Sequence, residues 1–128
     1  MQNPTVEFVT RYVQAVGDKR FDLLPAMLHP DADFGGPGLK GAHGAQAYIA
    51  GFQRLAPILL RNDIKHVVAQ GDEACVIYDF VTDTPVGPVA SVEWLKLEGG
   101  RIRSAELVFD RGRWPEVLQV LQARTAAN

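Results

Sequence analysis

Residues 89–110 read VASVEWLKLEGGRIRSAELVFD, and this stretch decides the fold. Its alternating side chains predict two long strands, and Gly99-Gly100 predicts the tight turn that joins them into a hairpin. Side chains on a strand point alternately to two faces. One face of the first strand carries Ser91, Glu93 and Leu95. The other face carries Val92, Trp94 and Lys96. An acid, Glu93, therefore stands in the middle of an otherwise apolar face.

The return strand of this hairpin presents a mostly small and apolar face. Alternation gives that face Arg103, Ala105, Leu107 and Phe109, and the opposite face Ile102, Ser104, Glu106 and Val108. A carboxylate that points inward must be paired, hydrogen-bonded or protonated, because an isolated buried charge is too costly. Three alternatives stay open for Glu93: an exposed strand charge, a protonated acid in a cavity, or the partner of Arg103 in a cross-strand ion pair.

The composition is that of an ordinary globular protein, and we expect one domain over residues 1–128. The chain is 47% hydrophobic and 22% charged. Its net charge of −2 gives no electrostatic support for nucleic-acid binding. A single cysteine, Cys75, excludes an internal disulfide framework. The chain has no long apolar segment and no signal pattern at its start, so we expect no membrane partner and a cytoplasmic location.

Apolar spacing predicts four helices. They cover residues 4–17, 22–28, 41–54 and 114–123. The first begins at an Asn3 cap and ends at Gly17, and it places Tyr12 on its buried stripe. The Tyr12 hydroxyl needs a partner, either a backbone carbonyl or a group in a cavity. His43 is expected at the start of the third helix.

Strand patterns follow the third helix, at residues 62–70 and 74–82, and a brief extended segment covers 31–34. His66 alternates with Ile64 and Val68 and is predicted to be half-buried. No second histidine stands at ligand spacing, so neither a metal site nor a cofactor is predicted. Helices first and strands afterwards indicate an α+β fold, with a curved sheet wrapped on the helices around a small-molecule cavity.

Four segments in this order resemble the nuclear transport factor 2-like superfamily, in particular the SnoaL-like polyketide cyclases and the ketosteroid isomerases. They are RYVQAV, LHPDADF…GPG, GAQAYIAGF and the hairpin ASVEWLKLEGGRIRSAELVFD. The resemblance spans nearly the whole chain. It implies a cone-shaped barrel, in which a strongly curved mixed or antiparallel sheet wraps around N-terminal helices as a cystatin-like roll.

The resemblance to the isomerases assigns catalytic roles to two residues. Tyr12 matches the tyrosine that donates to the developing oxyanion, and Glu93 falls where the isomerases have a protonated aspartate. Their general base is missing, because Gly36 occupies its position and neither Asp31 nor Asp33 falls there. The acid that other superfamily members place in the last strand falls near Leu107.

Two functions follow from this comparison. The first is an isomerase-, cyclase- or lyase-type enzyme acting on a hydrophobic, carbonyl-bearing substrate, with Tyr12 and Glu93 polarising the oxygen. The second is a non-catalytic dimeric ligand-binding or accessory module. In both, the partner is a small hydrophobic molecule, and the expected binding residues are Phe34, Tyr48, Phe52, Tyr78, Phe80, Arg103, Leu107 and Phe109. A third alternative is a cavity filled by Trp94, Phe34 and Phe52.

The resemblance also implies a homodimer that pairs through the outer faces of two sheets. The apolar positions predicted on that outer face are Ile77, Val81, Val92 and Trp94.

Overall fold

The computed structural model describes residues 3–126, and the predicted hairpin lies at the centre of its sheet. Strands β5 (Pro88–Glu98) and β6 (Arg101–Phe109) are antiparallel, with Glu93 opposite Leu107. Gly99 and Gly100 both have positive φ, of 60° and 77°, which glycine adopts without steric cost. The Gly-Gly turn and the alternation of β5 are therefore confirmed.

The sheet has six strands in the order β2-β1-β6-β5-β4-β3. The remaining strands are β1 (Leu28–Gly35), β2 (Ala42–His43), β3 (Leu59–Gln70) and β4 (Glu73–Thr82). Strand β1 runs parallel to β6, and all other neighbours are antiparallel. The fold is α+β with a curved mixed sheet, as predicted. The sheet stays open, because β2 and β3 each have one neighbour.

Helix α1 (Pro4–Gly17) follows the prediction at both ends. The Asn3 side chain accepts hydrogen bonds from the amides of Thr5 and Val6, which caps the helix. Its buried stripe, which includes Val9, Tyr12 and Val13, packs against the inner side of the sheet. Tyr12 is thereby held in the interior, facing the middle of β5.

The second and third helices are shorter than predicted. In place of the helix predicted over residues 22–28, the chain forms a 3₁₀ turn (Phe21–Leu23) and the short helix α2 (Leu24–Met27). Strand β1 already begins at Leu28. Helix α3 covers Ala45–Gln53. His43 is not at its start, because Ala42 and His43 pair with Phe34 and Asp33 as strand β2. Helix α4 (Trp114–Ala126) closes the chain and runs beyond the predicted end at residue 123.

Because of two β-bulges, the faces of β3 and β6 differ from the prediction. Arg103 has no partner on β5, since Ile102 pairs with Leu97 and Ser104 with Lys96. One extra residue reverses the alternation, so Ile102 is buried and not on the outer face. Lys65 is the extra residue in β3, which turns His66 outward opposite Ile77. His66 is therefore exposed rather than half-buried.

The outer face of the sheet exposes Ile77, Val92, Trp94 and Val108. Val81, predicted to lie on this face, is buried, and Arg61 and Pro88 flank it on the neighbouring strands. Pairing of two copies through this face stays a prediction.

No helix within residues 3–126 is long and apolar enough to cross a membrane.

Candidate functional site

A cavity of about 540 Å³ opens between α3, α4 and the inner face of the sheet. Aromatic rings form much of its wall. They belong to Phe34, Tyr48, Phe52, Tyr78, Phe80, Phe109 and Trp114. Edge-to-face contacts fix several of them, with 5.1 Å between the ring centres of Phe34 and Tyr48 and 5.0 Å between those of Phe109 and Trp114. These contacts give a preformed, mostly apolar wall.

Seven of the eight residues predicted to bind a ligand line this cavity. They are Phe34, Tyr48, Phe52, Tyr78, Phe80, Leu107 and Phe109. Trp94 lies on the outer face, so it does not fill the cavity. That these residues contact a ligand stays a prediction.

Arg103 is the eighth predicted residue, and it lies outside the cavity wall. Its Nη1 donates to the Asp31 carbonyl oxygen at 2.7 Å and to Asp33 Oδ2 at 3.3 Å. The bulge in β6 is the reason, because it turns Arg103 toward β1. Arg103 therefore does not pair with Glu93, and that alternative was wrong.

Glu93 is buried, with 2% of its surface exposed, and tyrosines surround its carboxyl group. Tyr12 Oη donates to Glu93 Oε1 at 2.8 Å, and Tyr78 Oη donates to Glu93 Oε2 at 3.2 Å. The hydroxyl oxygens of Tyr12 and Tyr48 are 2.5 Å apart. These four residues, from α1, α3, β4 and β5, are called the Tyr–Glu cluster below. The burial excludes an exposed strand charge at position 93.

The Tyr–Glu cluster meets the cavity through Tyr48 and Tyr78. Both side chains are in the cavity wall, whereas Tyr12 and Glu93 are not. The sequence predicts that Tyr12 and Glu93 both hydrogen-bond to one ligand atom. In the structure they hydrogen-bond to each other, and neither lines the cavity. Tyr48 and Tyr78, predicted only as ligand contacts, are the members of the cluster that face the cavity.

Burial decides the protonation of the cluster. Loss of hydration raises the pKa of Glu93 from 4.5 to about 7, although hydrogen bonds from Tyr12 and Tyr78 oppose the rise. Burial also raises the pKa of all three tyrosines well above 10, and the negative charge of Glu93 adds to the effect. Near pH 7 the tyrosines therefore keep their protons, while Glu93 is divided between its two forms.

The number of protons in the cluster determines whether a hydrogen-bond donor is left for a ligand. The cluster contains three internal contacts: Tyr12–Tyr48, Tyr12–Glu93 and Tyr78–Glu93. With Glu93 ionised, the three hydroxyl protons fill these contacts. Protonation of Glu93 adds a fourth proton, so one O–H group is left without a partner inside the cluster.

Gly36 leaves no room for a side chain at the position of the missing base. A Cβ atom added there would overlap the backbone carbonyl oxygen of Leu107. Neither Asp31 nor Asp33 lines the cavity. Among residues 3–126, the wall therefore contains no carboxylate.

His43 is a titratable residue of the cavity wall that the sequence did not point to. Its Nδ1 lies 2.5 Å from Asp33 Oδ1. Hydrogen bonds from His43 and Arg103 hold the pKa of Asp33 below its usual value. The strand β2 has only two residues, so it carries no alternation that could reveal this pair.

Within residues 3–126, no three histidine, cysteine or acidic side chains gather as metal ligands.

Comparison with protein families gives a match over most of the chain. The sequence model of the SnoaL-like domain matches residues 9–105. No curated protein matches the chain in sequence.

Solved structures of similar fold are numerous. A steroid delta-isomerase from Pseudomonas aeruginosa has a TM-score of 0.74 at 16% identity, covering 99% of this chain and 94% of that chain. A protein provisionally named a SnoaL-like polyketide cyclase, from Shewanella denitrificans, has a TM-score of 0.79 at 17% identity, covering 93% and 99%. An NTF2-like protein of unknown function from Cytophaga hutchinsonii has a TM-score of 0.74 at 22% identity, covering 91% and 98%. At these identities the likeness shows the fold alone.

Proposed function

The chain belongs to the SnoaL-like domain family, and we propose that it binds a small, largely apolar molecule whose carbonyl oxygen accepts a hydrogen bond from the Tyr–Glu cluster. The observation that carries this proposal is the contact between the cluster and the cavity. Tyr48 and Tyr78 belong to both, so a buried network of proton donors adjoins an apolar wall.

The size and lining of the cavity support a small-molecule ligand. A volume of about 540 Å³ lies within the range typical of ligand pockets, roughly 300–1,000 Å³. Such pockets are mostly apolar and contain a few polar groups that orient the ligand. Ser91, Tyr48 and Tyr78 contribute hydroxyl groups to this wall.

Protonation of Glu93 would control the affinity for a carbonyl ligand. When Glu93 is protonated, the extra O–H group of the cluster is available, and Tyr48 or Tyr78 donates it to the ligand oxygen. When Glu93 is ionised, all hydroxyl protons are engaged inside the cluster. We therefore expect a carbonyl ligand to bind more weakly above about pH 7, where Glu93 loses its proton.

Binding of 2-acetonaphthone at pH 6 and pH 9 tests this function, with 2-ethylnaphthalene as a ligand of similar shape that accepts no hydrogen bond. Calorimetry should show a ketone affinity about fivefold lower at the higher pH, because one hydrogen bond to the ligand is lost. The affinity of 2-ethylnaphthalene should stay constant. A ketone affinity independent of pH would contradict the role of the cluster.

Three variants control this experiment. Glu93→Gln removes the titrating group, so its ketone affinity should not change with pH. Gly51 lines the cavity, and a Cβ added to it meets nothing within 4 Å. Gly51→Leu should therefore narrow the cavity and weaken binding of both naphthalenes. Gln53→Leu, an exposed position in the same helix α3, should bind both like the wild type.

An isomerase-, cyclase- or lyase-type enzyme is the second candidate function, and the His43–Asp33 pair favours it. Such an enzyme needs a proton acceptor, and the described part of the wall offers no carboxylate. A neutral His43 that donates from Nδ1 to Asp33 would keep the lone pair of Nε2 free to take a proton from the carbon next to a carbonyl. The electron pair of that C–H bond would move to the carbonyl oxygen, where the cluster stabilises the enolate.

Exchange of the methyl protons of 2-acetonaphthone in D₂O tests this candidate. The catalytic function predicts exchange at least about tenfold above the buffer rate, with loss of most of the excess in His43→Gln, a typical effect for removal of a general base. Arg101→Gln, in the remote hairpin turn, should exchange like the wild type. Binding without exchange above the buffer rate would leave the chain a ligand-binding module.

A further inference from the structure

The charged side chains of the cavity wall are all basic. Lys40 and Arg54 are among its twenty lining residues, and no aspartate or glutamate is. They come from the loop after β1 and from the residue that follows α3. Both residues are exposed, so they form a rim where the cavity meets solvent. This excess is local, because the whole chain has a net charge of −2.

The acidic side chains of the described residues do not pair with this rim. Asp33 is engaged by Arg103 and His43, Glu116 by Arg113, and Asp83 by Arg124. The Oδ1 atom of Asp110 accepts a hydrogen bond from the amide of Gly112. Across residues 3–126, no acidic side chain lies within 4.0 Å of the charged nitrogens of Lys40 or Arg54.

The Arg54 side chain keeps most of its donors free. Its Nε contacts the Ala50 carbonyl oxygen at 3.4 Å, near the end of α3. The two Nη groups have no hydrogen-bond partner among the described residues. A guanidinium with free Nη groups is well suited to a planar anion such as a carboxylate.

We propose that the natural ligand carries a carboxylate at the end opposite its carbonyl oxygen, and that this carboxylate lies at the rim between Lys40 and Arg54. The inference rests on the proposed function and adds a substrate class, an apolar keto acid. The reverse orientation is disfavoured, since it would bury the carboxylate against the wall in front of Glu93, without a cation to pair with it. The rim would thus set the direction in which the ligand enters.

Matched probes of one skeleton test this inference: 6-acetyl-2-naphthoate and its neutral amide. At about 0.01 M salt the carboxylate should bind about fivefold more tightly than the amide, a typical gain for exposed charge pairs. At about 1 M salt, where the screening length is only about 3 Å, the preference should largely disappear. The double variant Lys40→Gln with Arg54→Gln should bind both probes equally, while Arg101→Gln should keep the wild-type preference.

Failure of this inference can be told apart from failure of the proposed function. If 2-acetonaphthone and the amide bind but the carboxylate has no advantage, only the keto-acid inference is wrong. Retention of the preference in the double variant, with an unchanged unfolding midpoint, would also overturn the role of the rim. If none of the naphthalene probes binds, both proposals fail.

Discussion

Replacement of Glu93 by Gln is expected to favour folding by about 3 kcal/mol more at pH 8 than at pH 4. The quantity compared is the difference in the free energy of unfolding between the variant and the wild type. The pKa of this carboxyl group is 4.5 in the unfolded chain and about 7 in the folded protein. Between these values the unfolded chain releases a proton that the folded protein retains. The free energy of unfolding therefore falls as pH rises from about 4.5 to 7 and levels off above, by about 1.4 kcal/mol for each unit of pKa difference. Glutamine does not ionise, so it avoids this loss.

Urea unfolding of both proteins at pH 4, 6 and 8 measures this effect. The difference between variant and wild type is the quantity to follow, because Asp22, Asp33 and Glu116 have lowered pKa values and change the stability in the opposite direction. Glu106→Gln, an exposed change opposite Trp94 on the outer face, is the matched control and should stay within about 0.5 kcal/mol of the wild type. A Glu93→Gln difference that does not grow with pH would mean that burial does not raise the pKa of Glu93.

Replacement of Gly36 by Asp, which would supply the carboxylate that the isomerases have there, is expected to destabilise the protein by about 3 kcal/mol or more. Its Cβ would overlap the Leu107 carbonyl oxygen in the backbone of β6, so β1 and β6 would have to separate. Gly36 also has a φ of 155°, which side-chain-bearing residues rarely adopt. The new carboxylate should not produce catalysis, because the strands that would hold it are displaced.

Gly35→Asp is the matched control for this substitution. A Cβ at Gly35 meets nothing within 4 Å, so the same side chain one position earlier should cost less than about 1 kcal/mol. Thermal and urea unfolding of the two variants give the comparison, together with deuterium exchange into 2-acetonaphthone. Equal stability of the two variants, or exchange gained in Gly36→Asp, would show that β1 can move to accept a base.

Local sequence patterns were sufficient to predict an element where they cover its whole length. The Asn3 cap, the apolar stripe and Gly17 define α1, and the alternation of β5 together with Gly99-Gly100 predicts the hairpin. Prediction failed at β2, because two residues show no periodicity and pair only through contacts with β1. It failed also at the bulges of Lys65 and Arg103, where one additional residue exchanges the two faces of a strand without a local signal.

The candidate site was predictable only in part, since its groups come from distant segments. Alternation alone left Glu93 open between solvent and interior, and the resemblance to the isomerases singled out Tyr12 as its counterpart. The hydrogen bond between Tyr12 and Glu93 depends on how α1 packs against β3 and β4, and no spacing in the sequence predicts that packing. The place of Tyr48 and Tyr78 between the cluster and the cavity follows in the same way from the packing of α3 and β4.

The central hairpin has a packed end and an open end that evolution and engineering can change independently. Near the Gly-Gly turn, Leu95, Ile102 and Ala105 are buried in the core. At the other end, Ser91, Leu107 and Phe109 line the cavity. Random libraries confined to that open end would vary ligand selectivity while the packed end keeps the two strands in register. A new specificity could therefore arise in this scaffold without a compensating change in its core.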